Sequence, residues 1–307
     1  MDYIKCIKNY NKIKYSILTC GVAVLVSVLL WGQAGAGGYS PSAADTGHVL
    51  ISGVTDHGYS QIRGFELVHP VPVRVPFAEG EYLLFAIQYG LIYAGDATLE
   101  VRNIAELEGR RTYHIVSEAR TNKTFDIVFK VRDRHESFID WDHLYTLRFE
   151  KHLREGKFRR DHEVVFDQEK HLAYYPADTV GIPPNTQDFL SALYYFRTVD
   201  IEPGQAMAMA NHTDGKNYPI FIKVLRREHV TVPAGEFDCI VIEPVLETTA
   251  IFENTGKLTI WMTDDTVRMP VLMRSKVIVG SFEAVLKEYT LGNGPPRTLG
   301  TEGTEGQ

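Results

Sequence analysis

Period-two alternation of apolar and polar side chains recurs along most of this chain, and it restricts the possible fold more than any other feature. In the stretch LTIWMT, Leu258, Ile260 and Met262 would lie on one face of a strand. Turn residues separate such stretches, as Gly256 and Gly280 do in this part of the sequence. Strands joined by short turns pair in antiparallel fashion, so the sequence predicts a mainly β protein with one large antiparallel sheet.

One segment departs from this alternation. In PPNTQDFLSALYYFRT, the residues Phe189, Leu193 and Phe196 recur at helical spacing, and Asn185 or Thr186 is a candidate N-cap. The apolar stripe of such a helix needs a surface to cover. We therefore predict a strongly curved, half-barrel-like sheet packed on at least one helix, which covers the concave face.

The N-terminal residues 1–36 have the features of an export signal. Four lysines precede the apolar run Ile17–Trp31, and the small residues Ala34 and Ala36 fit a cleavage site. The alternative is an uncleaved membrane anchor. The chain is therefore expected to be exported and to face the periplasm or the outer envelope.

The rest of the chain divides into three predicted parts. Residues 37–65 are predicted to form a linker and a first strand, and residues 66–291 a single curved β-sheet domain. Residues 292–307 are rich in Gly, Pro, Thr and Glu, which bury little apolar surface, so a disordered tail is predicted.

Charge and cysteine content restrict the possible partners. The net charge is −7, and cleavage after Ala36 would remove four lysines and one aspartate, which changes it to −10. No cluster of basic residues stands out in the sequence, so nucleic acid is not an expected partner. Cys239 would be the one remaining cysteine, and its apolar surroundings predict a buried core residue.

The densest group of titratable residues is the stretch DRHESFIDWDH. It contains Asp133, His135, Glu136, Asp140, Asp142 and His143. Such side chains can bind a divalent metal or catalyse hydrolysis, but Asp140 and His143 would point to opposite faces of a strand. The HExxH, phosphate-loop and dinucleotide-binding patterns are absent from the sequence. We therefore assign no catalytic residue, no metal ligand and no cofactor.

Two adjacent carboxylates, Asp264 and Asp265, lie between two strand-like stretches. They could be an acid/base pair, but no histidine or nucleophile is close in sequence. Aspartate carboxylates accept backbone N–H groups in tight turns, so residues 263–266 are predicted to form a solvated hairpin turn.

Large apolar side chains concentrate on the predicted helix and on the late strands. The candidates are Phe189, Leu193, Tyr194, Tyr195, Phe196, Trp261, Met262 and Met273. These residues form either an ordinary core or the lining of an apolar cavity between sheet and helix. In the second case the expected ligand is a lipid or the acyl chain of a lipoprotein.

Between Phe77 and Tyr289 the chain contains, among others, the stretches FAEGEYLLFAIQYGLIYAGDATLEV, FRRDHEVVFD, VLRREHVTVPAGEFDCIVIEP and LTIWMTDDTVRMPVLMRSKVIVGSFEAVL. Together these stretches resemble the DUF3108 family of exported bacterial envelope proteins. The resemblance implies an envelope protein with no assigned activity and no known catalytic residue. The late strands are also similar, more weakly, to periplasmic lipoprotein carriers, whose half-barrel shelters acyl chains under helices.

Three functions follow as hypotheses. The leading one is non-enzymatic binding or chaperoning of a hydrophobic envelope ligand, a lipid or an acyl chain. The second is an envelope assembly or scaffold protein that binds another protein. The third is a hydrolase that uses Asp and His side chains of residues 133–143.

Overall fold

The computed structural model describes residues 62–246, 257–276, 280–293 and 297–298. The predicted signal 1–36 lies outside these residues, as do 37–61 of the predicted linker, so the first described strand begins at Glu66. The strands are β1 (Glu66–Leu67), β2 (Arg74–Val75), β3 (Tyr82–Tyr89), β4 (Ile92–Leu107), β5 (Arg110–Thr121), β6 (Arg132–Asp140), β7 (Thr146–Glu155), β8 (Phe158–Asp167), β9 (Leu172–Tyr175), β10 (Asp178–Gly181), β11 (Gln205–Thr213), β12 (Lys216–Val232), β13 (Gly235–Leu246), β14 (Leu258–Thr263), β15 (Pro270–Lys276), β16 (Ser281–Thr290) and β17 (Arg297–Thr298). The helices are α1 (Lys123–Asp126) and α2 (Phe189–Phe196). Neither of these two helices is long and apolar enough to cross a membrane.

Fifteen of the described strands form one sheet. Two runs of antiparallel hairpins, β3 to β10 and β11 to β16, are joined where β16 pairs with β3. The pairing of β1 with β11 is parallel, so the sheet is mixed at this edge. Since β1 and β10 are the ends of the strand order, the sheet is open. The predicted mainly β fold, a large and curved sheet with a helix, is confirmed.

The open sheet curls until its two ends approach each other. Asn217 Nδ2 on β12 donates a hydrogen bond to the carbonyl oxygen of Gly181 on β10, with 2.7 Å between the two atoms. The segment that leads into α2 also lies in this gap, because Gln187 N donates to Ala210 O at 2.9 Å and Gln187 O accepts from His212 N at 3.0 Å. The loop before α2, through a single parallel bridge of Gln187 to Asn211, and polar side-chain contacts thus connect the ends, and no described strand of one end pairs with a strand of the other.

Helix α2 begins at a different residue from the one predicted. Its N-cap is Asp188, whose Oδ1 accepts hydrogen bonds from the backbone N–H groups of Leu190 at 2.7 Å and Ser191 at 3.0 Å. Asn185 and Thr186 lie in the preceding loop. Asp188 takes the cap because its backbone is extended and its side chain reaches two of the free N–H groups of the first turn.

The predicted tail 292–307 contains a short strand. Arg297 and Thr298 form β17, which pairs with β2. The guanidinium group of Arg297 lies 4.5 Å from the centre of the Trp141 ring, a cation–π contact that fixes these residues against the sheet domain. The structure therefore differs from the predicted domain boundary at these two residues.

The carboxylates of Asp264 and Asp265 accept hydrogen bonds from neighbouring residues. Asp265 Oδ1 accepts hydrogen bonds from Val267 N at 2.8 Å and Arg268 N at 3.0 Å. Asp264 Oδ2 accepts one from Arg227 Nε at 2.6 Å. The loop between β14 and β15 is longer than the predicted four-residue turn, but the carboxylates stabilise it as that prediction assumed.

Candidate functional site

The titratable stretch 133–143 does not converge on one site. Asp133 and His135 on β6 lie on the concave face of the sheet, which α2 covers, because the His135 ring is 5.3 Å from the Phe189 ring. Glu136 lies on the convex face, where it accepts hydrogen bonds from Arg134 at 2.6 Å and His114 at 2.7 Å. The cluster is thus divided between two faces.

The remaining residues of this stretch stabilise a loop at the other end of β6. Asp140 Oδ1 accepts hydrogen bonds from the backbone N–H of His143 at 2.7 Å and from that of Asp142 at 3.1 Å. Asp140 Oδ2 is also 2.8 Å from a guanidinium nitrogen of Arg110. These contacts explain the residues as parts of a turn and bring no nucleophile to them.

The concave face changes from apolar to polar along β6, β7 and β8. One row of paired positions across these strands is Ser137, Phe149 and Val164, next to Phe189 of α2. The next row lies closer to one end of these strands, which is formed by Arg132, Glu155 and Phe158. This row is polar and consists of His135, Lys151 and His162. A buried surface that carries ionisable groups next to an apolar core is unusual, because buried charges require partners.

Lys151 has such a partner on another part of the sheet. Its ammonium nitrogen lies 3.0 Å and 3.2 Å from the two carboxylate oxygens of Asp214, in the turn between β11 and β12. Only 2 % of Lys151 is exposed, and burial lowers its pKa while Asp214 opposes this shift. The ion pair therefore holds the β11–β12 turn over the polar end of the concave face.

A directional chain of hydrogen bonds lies beside this ion pair. Gly215 N donates to Tyr175 Oη at 2.9 Å, and Tyr175 Oη lies 2.5 Å from His212 Nε2. His212 Nδ1 lies 2.7 Å from Asn217 Oδ1, which can only accept. His212 must then carry its proton on Nδ1 and accept from Tyr175 on Nε2, a neutral form that agrees with the lowering of its pKa by burial.

An open cleft of about 290 Å³ lies between the β11–β12 turn and the strands β8 to β10. Its lining residues are Arg160, His162, Tyr175, Pro176, Ala177, Asp178, Asp214 and Gly215. One wall is the polar network of Tyr175 and Asp214, and Arg160 places a cation 3.7 Å from Asp214. The cleft therefore combines positive and negative groups with the apolar surface of Pro176 and Ala177.

Two imidazole nitrogens near the cleft have no hydrogen-bond partner among the described residues. They are Nε2 of His135 and Nε2 of His162. Burial, and then the charge of Lys151, lowers the pKa of His135 to about 3, and burial lowers that of His162. Both rings are therefore neutral near pH 7. His162 lines the cleft, but its Nε2 is buried in the wall behind it.

A pair of carboxyl groups occupies the end of the polar face. Asp133 accepts a hydrogen bond from Arg154 N at 2.8 Å and is coupled to Glu155 on β7. Burial raises the pKa of Asp133, and burial and the charge of Asp133 raise that of Glu155 to about 7. Two close carboxyl groups in a poorly solvated place share a proton because both cannot ionise easily.

The convex face carries a group of three potential metal ligands, Glu136, Glu150 and His152, whose ligand atoms lie within 4.8 Å of one another. Each carboxylate already has an arginine partner, since Arg134 is 2.6 Å from Glu136 and Arg148 is 2.8 Å from Glu150. These ion pairs explain the group without a metal.

The eight apolar candidates belong to the apolar core or pack directly against it. They do not share one face of the sheet, because Trp261 and Met262 are neighbours on β14 and point to opposite sides. The buried ones are Phe189, Tyr194, Phe196, Trp261 and Met262, and the half-buried ones are Leu193, Tyr195 and Met273. Phe189 contacts His135 and Phe149, so it marks the boundary between the apolar core and the polar end of the concave face.

Sequence reasoning missed most of the cleft. Lys151, His162, Tyr175 and Asp214 come from three strands and a distant turn, and no motif connects them. One signal was available on β6, where the period of two puts His135 on the same face as the buried Ile139. A polar residue at such a position indicates a polar site or a hydrogen-bonded core.

The described fold and cleft define a class of protein, an open half-barrel with one helix on its concave face and a polar cleft at one end. The chain belongs to the DUF3108 family, described as a protein of unknown function, whose sequence model matches residues 84–287. The resemblance noted in the sequence is thereby confirmed. No curated protein matches the chain.

One solved structure shares this fold at low identity, and two others have a lower similarity. A β-barrel-like protein of the DUF1849 family from Brucella abortus has a TM-score of 0.51 and 10% identity, with 71% of this chain and 99% of that chain covered. A Bacteroides fragilis protein assigned as exported, with a YmcC-like fold, has a TM-score of 0.30 and 14% identity, with 72% and 100% covered. A Parabacteroides distasonis protein assigned as a lipoprotein has a TM-score of 0.30 and 11% identity, with 72% and 100% covered.

Proposed function

We propose that this protein is exported to the bacterial envelope and binds or chaperones an amphiphilic ligand, a lipid or a lipoprotein acyl chain with its polar headgroup, without catalysis. The observation that carries the proposal is the change of the concave face from apolar to polar next to an open cleft. The row Ser137, Phe149 and Val164 is followed, two residues further along each strand, by the row His135, Lys151 and His162. An amphiphile has the same division between its two parts.

The headgroup is assigned to the cleft. Arg160 has a side chain that is 45% exposed and can donate to headgroup oxygens, and His162 forms part of the cleft wall. Asp214 does not repel an anionic group strongly, because Lys151 neutralises it at 3.0 Å. Guanidinium groups bind phosphate and carboxylate oxygens well, so an anionic headgroup is favoured.

The apolar part of the ligand is assigned to the region of α2. A chain that enters from the cleft meets Phe189 first, because this residue contacts both Phe149 and the polar His135. The other candidates for contact with the apolar chain are Leu193, Tyr194, Tyr195, Phe196, Met262 and Met273, whereas Trp261 points to the opposite face of β14 from Met262. Since these side chains are packed together, binding requires α2 to shift away from the sheet.

Export is supported by the signal-like residues 1–36 and by the names of two of the structural relatives. The hydrolase hypothesis is not proposed, because Asp140 and His143 lie at the opposite end of β6 from Asp133 and His135. The assembly-factor hypothesis is retained as a second candidate. It is favoured by exposed apolar side chains at the ends of several strands, such as Leu91, which is 104% exposed.

Native mass spectrometry of the full chain extracted from membranes tests the proposal. The wild-type protein is expected to carry co-purifying lipid or acylated ligand. Ala177 is exposed on the cleft wall, so Ala177→Trp fills the cleft and should reduce the bound fraction at unchanged folding. Thr231→Trp, at an exposed position at the other end of the sheet, is the matched control. Repeated absence of any bound ligand from the wild-type protein would reject the proposal.

A further inference from the structure

Three neighbouring segments at one end of the sheet expose large apolar side chains to solvent. In the turn between β3 and β4, Leu91 is 104% exposed and Ile92 is 58% exposed. After α1, Ile127 is 86% exposed and Val128 is 61% exposed, and at the start of β8 Phe158 is 51% exposed. We call these segments, residues 90–93, 122–131 and 156–160, the apolar rim. Two of these side chains are almost fully exposed and the other three are at least half exposed, which indicates a surface that another apolar phase covers.

Hydrogen bonds fix the three segments to one another. Asn122 Nδ2 donates to the carbonyl oxygen of Tyr93 at 2.7 Å, which joins the β3–β4 turn to α1. Gly156 N donates to the carbonyl oxygen of Lys130 at 2.7 Å, which joins the segment after α1 to the β7–β8 turn. The exposed side chains therefore protrude from one connected edge of the molecule.

Exposed basic residues surround these apolar side chains. Lys123, Lys130 and Lys157 form no ion pair with any described residue, and all three are exposed. Arg159 is also exposed, and among the described residues its guanidinium group donates only to the carbonyl oxygens of Gly156 and Phe158. These cations stand out on a chain whose net charge is −7.

The acidic residues of the same edge are already neutralised. Asp126 lies 2.7 Å from a guanidinium nitrogen of Arg132, and Asp96 lies 3.2 Å from the ammonium nitrogen of Lys287. Arg132 holds the pKa of Asp126 below its usual value, so the carboxylate stays ionised and paired. The charge that this edge presents outward therefore comes from lysine and arginine.

We propose that the apolar rim docks on the surface of an anionic lipid bilayer. The aliphatic and aromatic tips enter the interfacial region while the surrounding lysines contact lipid phosphates, an arrangement that peripheral membrane proteins need for stable attachment. Separate protruding tips within a ring of cations match a lipid surface better than a flat protein partner. The β9–β10 and β11–β12 turns of the cleft lie at the same end of the sheet, so a docked molecule would present its cleft to the bilayer.

Hydrogen exchange of the full chain with and without vesicles tests this proposal. Vesicles of equal parts phosphatidylglycerol and phosphatidylcholine should slow exchange in peptides from residues 90–93, 122–131 and 156–160. The loop 264–269, at the opposite end of the sheet, is the internal control and should not change. Because exchange is read peptide by peptide, binding through the apolar N-terminal run does not imitate the expected pattern.

Two sets of variants separate the apolar and the charged parts of the rim. The triple variant should abolish the protection; it combines Leu91→Asp, Ile127→Asp and Phe158→Asp. Val71 is 72% exposed and lies outside the rim, so Val71→Asp should leave the protection intact. Replacing Lys123, Lys130 and Lys157 by Gln should weaken binding by about fivefold for each charge.

Unchanged exchange at the rim in the presence of vesicles would overturn the proposal, and so would equal protection by pure phosphatidylcholine. Protection of the rim by an envelope protein in the absence of lipid would also contradict it and would favour an assembly factor. The docking proposal and the proposed ligand can be tested separately. Ala177→Trp should reduce ligand binding and leave the protection of the rim unchanged.

Discussion

Arg197 and Glu81 form a buried, two-pronged ion pair that connects the end of helix α2 to the start of β3. The guanidinium nitrogens lie 2.6 Å and 2.7 Å from the two carboxylate oxygens. Arg197 is 2% exposed and Glu81 is 0% exposed. The pair fixes one end of α2 to the strand where the two runs of hairpins meet. Its strength therefore limits how far α2 can move from the concave face.

Removal of one partner should destabilise the protein strongly. Arg197→Met leaves Glu81 buried without its counter-ion, and the expected loss is about 3–5 kcal/mol in the free energy of unfolding, measured by urea denaturation. The exposed pair Arg226 and Glu228 is the control, and Arg226→Met should change stability by less than about 1 kcal/mol. The double variant Glu81→Met and Arg197→Met should lose less than either single variant. Equal losses from the buried and exposed sites would contradict this role.

The other end of α2 depends on Asp188. In addition to the two backbone N–H groups, its carboxylate accepts hydrogen bonds from Ser137 Oγ at 2.6 Å and Thr146 Oγ1 at 2.8 Å. Asp188→Ala removes the cap and leaves buried donors without an acceptor, so a loss of about 2–4 kcal/mol in unfolding free energy is expected. The partly exposed cap of α1 gives a comparison, because Asn122→Ala should lose no more than about 1 kcal/mol. Similar effects at both caps would show that the buried hydrogen bonds add little.

Stability should fall on acidification because of His135. Its pKa is about 3 in the folded protein, where burial keeps the ring neutral, compared with a usual value of 6.5. Between these two values the unfolded chain binds more protons, so unfolding becomes easier as the pH falls through this window. His135→Phe keeps an aromatic ring between Phe149 and Phe189, and its free energy of unfolding should depend less on pH in this window. Near pH 3 the wild-type protein should have lost a few kcal/mol that the variant keeps.

His229 serves as the control for this pH effect. It is exposed, and its hydrogen bond to Asp238 raises its pKa above 6.5, so its contribution is present below that value and is lost as the pH rises through the folded pKa. His229→Phe should therefore leave the acid slope in place. An unchanged slope in the His135→Phe variant would show that His135 does not cause it.

Glu155 should have the opposite effect on the pH profile. Burial and the nearby Asp133 raise its pKa to about 7 from a usual value of 4.5. Between pH 4.5 and about 7 the folded state then binds more protons than the unfolded chain, so the free energy of unfolding should decrease as the pH rises through this range. Glu155→Gln cannot ionise and should remove that decrease, as measured by urea denaturation at a series of pH values. Profiles of the wild-type protein and the Glu155→Gln variant that coincide between pH 4.5 and 7 would contradict the raised pKa of Glu155.

The fold was more accessible to sequence reasoning than the site. Alternation such as that of Leu258, Ile260 and Met262 reports directly on strands, because neighbouring residues must face opposite sides of a sheet. The start of α2 was predicted two to three residues too early, since Asn185 and Thr186 are good caps by type and the contact that selects Asp188 comes from distant strands.

The cleft and the rim depend on contacts that no local pattern contains. Lys151 and Asp214 meet only because the sheet curls through many strands. The basic residues of the rim, such as Lys123 and Lys157, lie in different turns and form no cluster along the sequence. Their proximity is a property of hairpin lengths and register, which sequence periodicity alone does not determine.

Photo-crosslinking tests the central claim, that an amphiphile binds with its headgroup in the cleft, most directly. A lysophosphatidylglycerol with a photoreactive group in its headgroup would be irradiated with the full wild-type chain and with the Ala177→Trp variant, and the adducts mapped by mass spectrometry. Adducts on residues 160–162, 175–178 and 213–216 of the wild-type protein, and their loss in the variant, are the predicted result. Adducts confined to other regions, or unchanged in Ala177→Trp, would contradict the account.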